Sequence, residues 1–208
     1  MKLYIAGVNH FDPLCRPKLV KWLQHLSETH DKLPAFVAVE YDKNLFEKAK
    51  KQRKRFRQLL QNEWPSLKSE QLDILENSLV YEGDTHLEVF PDVEILWLDT
   101  VIQETDSNEW DNYAEKRLAM YKQYSFGEKT LSINKLSERI LNIDDPEYNN
   151  LNRDEKFAYL IRQGISKSGG KWAIVIVGFN HTRKDIQGTM RCLLEDYGII
   201  CEVRKICV

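Results

Sequence analysis

The chain lacks any apolar run long enough to cross a bilayer: a spanning helix needs about 18 or more such residues, whereas the runs here, such as 3–6 and 173–177, stop after a handful. Its first residues, "MKLYIAGVNHFDP", have neither the longer apolar segment nor the small-residue cleavage site of a secretory signal. Cysteine is sparse. Cys15, Cys192, Cys201 and Cys207 include no CxxC pair, which argues against a zinc site built on cysteine pairs and against a dense disulfide framework. These absences predict a cytoplasmic chain with reduced thiols and no membrane segment. An excess of one charge is also missing. Thirty Lys and Arg face 32 Asp and Glu, a net charge of −2, so no global field points to nucleic acid or to an acidic membrane. There is no P-loop, GxGxxG, GxSxG or HExxH, so neither nucleotide binding nor serine hydrolysis has a motif to stand on.

What is present is a chain of 208 residues, 42% hydrophobic and 11% aromatic, long enough to bury a core, and 1–208 reads as a single domain. Four short, nearly continuous apolar runs rich in β-branched or aromatic residues read as strands covered on both faces: 2–8, 35–40, 93–99 and 171–178. A fifth, 198–206, alternates more and reads as a strand nearer an edge. Helical periodicity fills the spaces at 16–30, 43–64, 152–168 and 183–199, with a long polar helical region around 110–141. The alternation predicts an α/β fold: a mostly parallel central sheet flanked by helices, with a helical insertion around 102–150. Within that insertion the polar "NIDDPEYNNLNRDE" reads as a loop, a candidate lid. The basic run "KAKKQRKRFR" (48–57) lies on an amphipathic helix beside acidic residues and reads as a solvated face.

The informative residues sit at the carboxyl ends of the predicted strands, where ligands bind in open parallel sheets. The first run ends in Gly7-Val8-Asn9-His10 and the fourth in Gly178-Phe179-Asn180-His181, so one pattern, Gly-x-Asn-His, is written twice. Glycine at such a place lets the backbone turn sharply or another group come close. The second run ends in Glu40, followed by Asp42, and the third in Asp99. A lone histidine after a strand is ordinarily a capping or surface residue, but the duplication is hard to attribute to packing. Two imidazoles and a carboxylate are a common ligand set for a divalent cation with open positions. The alternative is general acid–base work by the histidines, tuned by Glu40 and Asp99. Asp42 is read as the cap of the following helix and Glu40 as part of the site. Asn9 and Asn180, just before the histidines, are read as substrate contacts. Glu82 and Asp84 in "YEGDTH" compete for the role of mid-chain acid. Arg153, at the start of a helix, is read as an anion or carbonyl clamp, with Asp154 beside it.

Taken together, the strand-Gly-x-x-His at the N-terminus, the "VAVE" strand, the "LWLD" strand, the helix "RDEKFAYLI" and the second "VGFNH" resemble the TraB/PrgY/Tiki superfamily, whose wider relatives include ChaN-like haem-binding proteins and erythromycin-esterase-like enzymes. The resemblance implies paired βα units that bring His10 and His181 to one site, with Glu40, Glu82, Asp99 and Arg153 as its acidic and basic companions. It implies metal-dependent proteases or esterases among the activities, and ligand-binding members without catalysis. The chain departs from the usual pattern at Val8-Asn9, where Thr or Ala is common, and at Thr100, where Arg is common.

Three expectations follow. The first is a metal-dependent hydrolase of peptide or ester type. In it His10, Glu40 and His181 hold a divalent ion such as Mn²⁺, Co²⁺ or Zn²⁺, Glu82 or Asp99 acts as general base and Arg153 stabilises the oxyanion. The second is a non-catalytic module that binds a small ligand or peptide in the same place. The third is docking of a second copy of the chain, a homodimer, on the 102–150 insertion.

Overall fold

A computed structural model describes residues 1–99, 110–142 and 151–206. Five strands, β1 (Lys2–Val8), β2 (Val37–Val39), β3 (Ile95–Trp97), β4 (Trp172–Gly178) and β5 (Ile200–Lys205), form an all-parallel sheet in the order β3-β2-β4-β1-β5. The two runs that carry Gly-x-Asn-His are the neighbouring strands β1 and β4. Their alternate side chains divide between two cores. Tyr4, Ala6, Ile174 and Ile176 meet Leu19, Leu23 and Leu26 of α1 (Cys15–Thr29) on one face. Leu3, Ile5, Val175 and Val177 meet Phe157 and Ile161 of the helix over Leu151–Lys167 and Met190 of the helix over Met190–Asp196 on the other. Burial on both faces is why these runs read as continuous rather than alternating.

Several elements differ from expectation. The predicted helix 43–64 is two helices, α2 (Lys43–Lys50) and α3 (Arg53–Glu63). At the break, the Gln52 side chain donates to the Trp110 carbonyl at 2.5 Å and accepts from the Ala114 amide at 3.0 Å. Backbone hydrogen bonds continue through the break, Gln52 N donating to the Ala49 carbonyl at 3.0 Å and Phe56 N to the Gln52 carbonyl at 2.8 Å, while the side chain adds a long-range contact that local periodicity cannot report. Asp42 caps α2 as read, accepting from the amides of Asn44 and Leu45. An unexpected helix, α4 (Ser69–Asn77), follows. The expected insertion supplies α5 (Tyr113–Ser125) and α6 (Ile133–Leu141). These are not a free-standing cap: Ala114, Tyr121, Leu136 and Ile140 pack on Phe56, Leu60 and Leu75 of α3 and α4 in a third core. The remaining parts of the insertion, 100–109 and 143–150, which hold most of the candidate lid, lie outside the described residues. The helix over Leu151–Lys167 is α7; α8 (Met190–Asp196) is shorter than the 183–199 predicted.

Much of the basic run on α2 and α3 is paired: Lys48 with Asp111, Lys50 and Arg53 with Asp84, Arg55 with Glu115, and Arg57 with Glu76. Cys192 and Cys201 are free thiols, but Cys15 is disulfide-bonded, which corrects the expectation of a fully reduced chain. Proximity in the fold, not spacing in the chain, decides such pairing, and the cysteine argument for a cytoplasmic location loses its basis. Among the described residues no helix is long and apolar enough to cross a membrane.

Candidate functional site at the carboxyl edge of the sheet

Parallel pairing of β1 with β4 sets Gly7 opposite Val177 and Val8 opposite Gly178, so both strands release their chains at nearly the same level. After β1, the Asn9 side chain accepts from the Phe11 amide at 3.0 Å and the Asn9 carbonyl accepts from the Tyr81 hydroxyl at 3.0 Å; this turn presents His10. After β4, a 3-10 turn over Phe179–Thr182 carries Asn180 and presents His181. The two histidines converge on Glu40, which leaves β2, the neighbour of β4 on the other side.

Glu40 is the hub. Its Oε2 accepts from the Gly178 amide at 2.5 Å and lies 3.3 Å from His10 Nε2. Its Oε1 accepts from Arg153 Nη2 at 3.0 Å and lies 3.1 Å from His181 Nε2. The glycine is required by space. A Cβ at 178 would lie 2.8 Å from His10 Nε2 and 3.1 Å from Glu40 Oε2.

Behind each imidazole stands a fully buried carboxylate. Glu82 Oε1 is 2.6 Å from His10 Nδ1, and Asp154 Oδ1 is 2.8 Å from His181 Nδ1 while also accepting the Met190 amide at 2.7 Å. Arg153 links Glu40 to Asp99, donating to Asp99 Oδ2 at 2.8 Å. Tyr41 packs edge-on against His10, with ring centroids 6.2 Å apart. The cluster is closed on the side of Glu40 and His181 and open where His10, Asp99 and Arg153 have side chains 27%, 30% and 38% exposed.

The hydrogen bonding fixes the chemistry. A carboxylate only accepts, so each Nδ1 carries a hydrogen. Each Nε2 then faces Glu40, a second acceptor. Two neutral imidazoles would meet that carboxylate lone pair to lone pair. The gap therefore calls for two protons or one divalent cation. In the protein alone the protons answer. Burial pushes both imidazoles down, but Glu40 and Glu82 outweigh it and hold His10 well above its usual range, while Asp154 and Glu40 lift His181 to about 9. Burial would raise Glu40, yet His10 and His181 hold it well below the usual carboxylate range. Imidazoles with Nδ1 anchored on carboxylates and Nε2 turned to a shared third ligand match the way histidine ligands are oriented around metals. In donor type and orientation the residues fit a divalent cation. Among the described residues no group of three or more His, Cys, Asp or Glu stands at coordinating spacing, in keeping with contacts of 3.1 and 3.3 Å made through protons.

Thus Glu40, Glu82, Asp99, Arg153, His10 and His181 come together around one point, with Asn9 taken up in the turn below His10. The choice between Glu82 and Asp84 is resolved in space: Asp84 turns away to Arg16 and Arg53. Asp154 and Tyr41 were not singled out from sequence. For Asp154 a signal existed, since it is the first of the two acids in the "RDE" near the start of α7. No family model, curated protein or solved structure matches this chain.

Proposed function

We propose that the chain hydrolyses an ester or amide bond at the carboxyl edge of its sheet, using a divalent cation held by His10, Glu40 and His181. The observation that carries this reading is the convergence of two carboxylate-anchored imidazoles, Nε2 first, on a single buried carboxylate. The likeness of the paired Gly-x-x-His strands to the TraB/PrgY/Tiki superfamily supports it. When bound, the cation would supply Lewis acidity toward the carbonyl and a water of lowered pKa.

The chain's own residues have distinct tasks. Glu82 and Asp154 lock the imidazole rings. Asp99 lies on the open side, held by Arg153 at 2.8 Å, where it can take a proton from an attacking water. Glu82 lies wholly buried behind His10 and serves as its orienting partner. The Arg153 guanidinium faces the opening, placed to neutralise an oxyanion. Removal of water around Glu40 and His181 strengthens the contacts those two side chains make.

A second reading, sequestration of a small anionic or peptide ligand without turnover, is favoured by the saturation of Glu40, which already receives four donors. The test is elemental analysis and turnover of activated esters and amides after incubation with Mn²⁺, Co²⁺ or Zn²⁺. The hydrolase reading expects about one bound cation per chain, with both metal and turnover lost in His10→Ala and His181→Ala while circular dichroism is unchanged. Absence of cation uptake together with absence of hydrolysis would overturn it.

A further inference from the structure

A groove of about 800 Å³ runs between α1 and β5, on the α1 face of the sheet and apart from the Glu40 cluster. That volume is within the range of ligand sites, about 300–1,000 Å³. One wall is the flank of α1 from Lys18 to His30, about 18 Å of helix at 1.5 Å per residue. The floor is β5 from Glu202 to Ile206, with Tyr4 of β1 beside it. The groove exists because β5 is the edge strand and, among the described residues, no helix covers its α1 face: Glu202 and Arg204 stand exposed there, paired in register with Tyr4 and Ala6.

Its charge is opposite to that of the chain as a whole. Lys18, Lys21 and Arg204 bring their charges to it, against a single acid, Glu202, which is already paired with Lys2 at 2.7 Å. Among the described residues Lys18 has only a distant partner, Asp12 at 3.8 Å; Lys205, in register with Gly7, turns its ammonium to the Phe179 ring on the other face. Among the described residues neither Lys21 nor Arg204 has a carboxylate within ion-pair distance. On α2 and α3, by contrast, several basic side chains are paired with acids: Lys48 with Asp111, and Arg57 with Asp73 and Glu76. Trp22, partly buried against the α1 core, adds an apolar wall.

The strand beneath the groove is open along its outer side. β5 pairs with β1 alone, so its other edge presents backbone donors and acceptors with no strand to take them among the described residues. An extended peptide satisfies such an edge by adding to the sheet, and every second side chain then falls on one face. We infer that β5 and the α1 groove bind an extended segment of a partner protein with acidic side chains at alternate positions, its backbone continuing the sheet and its carboxylates meeting Lys21, Arg204 and Lys18.

The probe is a fluorescein-labelled nonapeptide alternating Glu and Thr, followed by anisotropy with the full chain. Three comparators accompany it: the same peptide with Lys for Glu, the Glu peptide methylated at alternate backbone amides, and an oligothymidylate of equal charge. The expected result is saturable binding of the Glu peptide, weakened about tenfold or more both by amide methylation and by Lys21→Glu with Arg204→Glu, no binding of the Lys peptide, and no displacement by the oligonucleotide. Both substituted residues are exposed, and circular dichroism checks that the fold is retained. Equal binding of the methylated peptide, equal or tighter binding of the oligonucleotide, binding unchanged by the double charge reversal, or absence of saturable binding would each overturn the inference.

Discussion

His181 and Asp154 are joined through Nδ1 and Oδ1 at 2.8 Å, with the carboxylate wholly buried and the imidazole nearly so. The same oxygen accepts the Met190 amide at 2.7 Å, so one carboxylate both aims the ligand-facing imidazole and caps the start of α8's packing on α7. Asp154→Ala leaves two buried donors without a partner and is expected to cost about 2–4 kcal/mol in urea unfolding. Asp154→Asn retains the acceptor for Met190 but removes the charge behind His181. Its expected effect is a loss of about 10–100-fold in cation affinity, at a smaller stability cost. Equal cation affinity in parent and Asn variant would show that Asp154 serves packing alone.

Gly178 supplies a second check, this time on space. Its missing Cβ is what allows His10 Nε2 and Glu40 Oε2 to approach the backbone of β4. Gly178→Ala is therefore expected to displace His10 and lower turnover and cation binding by about tenfold or more, as misplacement of about 1 Å does in other sites. Gly169, where an added Cβ meets nothing within 4 Å, is the matched control. Gly169→Ala should leave both readouts unchanged. Loss in both variants would assign the effect to backbone stiffening rather than to the site.

How much of this was legible in the chain follows from which interactions are local. The strands β1 and β4, the capping by Asp42 and the meeting of His10, Glu40 and His181 were readable, because a buried parallel strand has a distinctive composition and its carboxyl end has a fixed address in the fold. The break at Gln52 was not: it coincides with hydrogen bonds from that side chain to Trp110 and Ala114, some sixty positions away, which no local pattern reports. Nor could spacing choose between Glu82 and Asp84, which flank Gly83 symmetrically. The choice is made by His10 on one side and by Arg16 and Arg53 on the other. The insertion's helices were expected from their period, but not that their apolar faces would close on α3 and α4.

His86 gives a pH prediction away from the site's ligands. It is wholly buried, with the Asp84 carboxylate and the Glu82 backbone as its polar neighbours and no well-formed hydrogen bond to either ring nitrogen among the described residues. Burial pushes its pKa down to about 4, against the pull of Asp84. Below about 6.5 the unfolded chain takes a proton that the folded chain refuses, so this group destabilises progressively as pH falls from 6.5 toward 4 and contributes nothing above 6.5. At pH 5 the penalty is about 2 kcal/mol. His86→Leu should therefore gain about that much on the parent between pH 8 and pH 5 in chemical unfolding. Parallel pH profiles for the two proteins would mean that His86 finds a partner in solution.

Arg153 separates stability from chemistry. Its Nη2 joins Glu40 at 3.0 Å and Asp99 at 2.8 Å, yet the side chain is more than one-third exposed. Exposed ion pairs contribute about 0–1 kcal/mol, so Arg153→Met should leave the unfolding midpoint almost unchanged. If the guanidinium faces a developing oxyanion, the same variant should lose about 10²–10³ in kcat with a smaller change in KM. Lysine should restore little, because a compact ammonium does not reproduce the planar guanidinium that spans the two carboxylates. A rise in KM at constant kcat would instead make Arg153 a substrate anchor. Unchanged kinetics would leave it as a tether between β2 and β3, holding Asp99 beside Glu40 without touching the reaction.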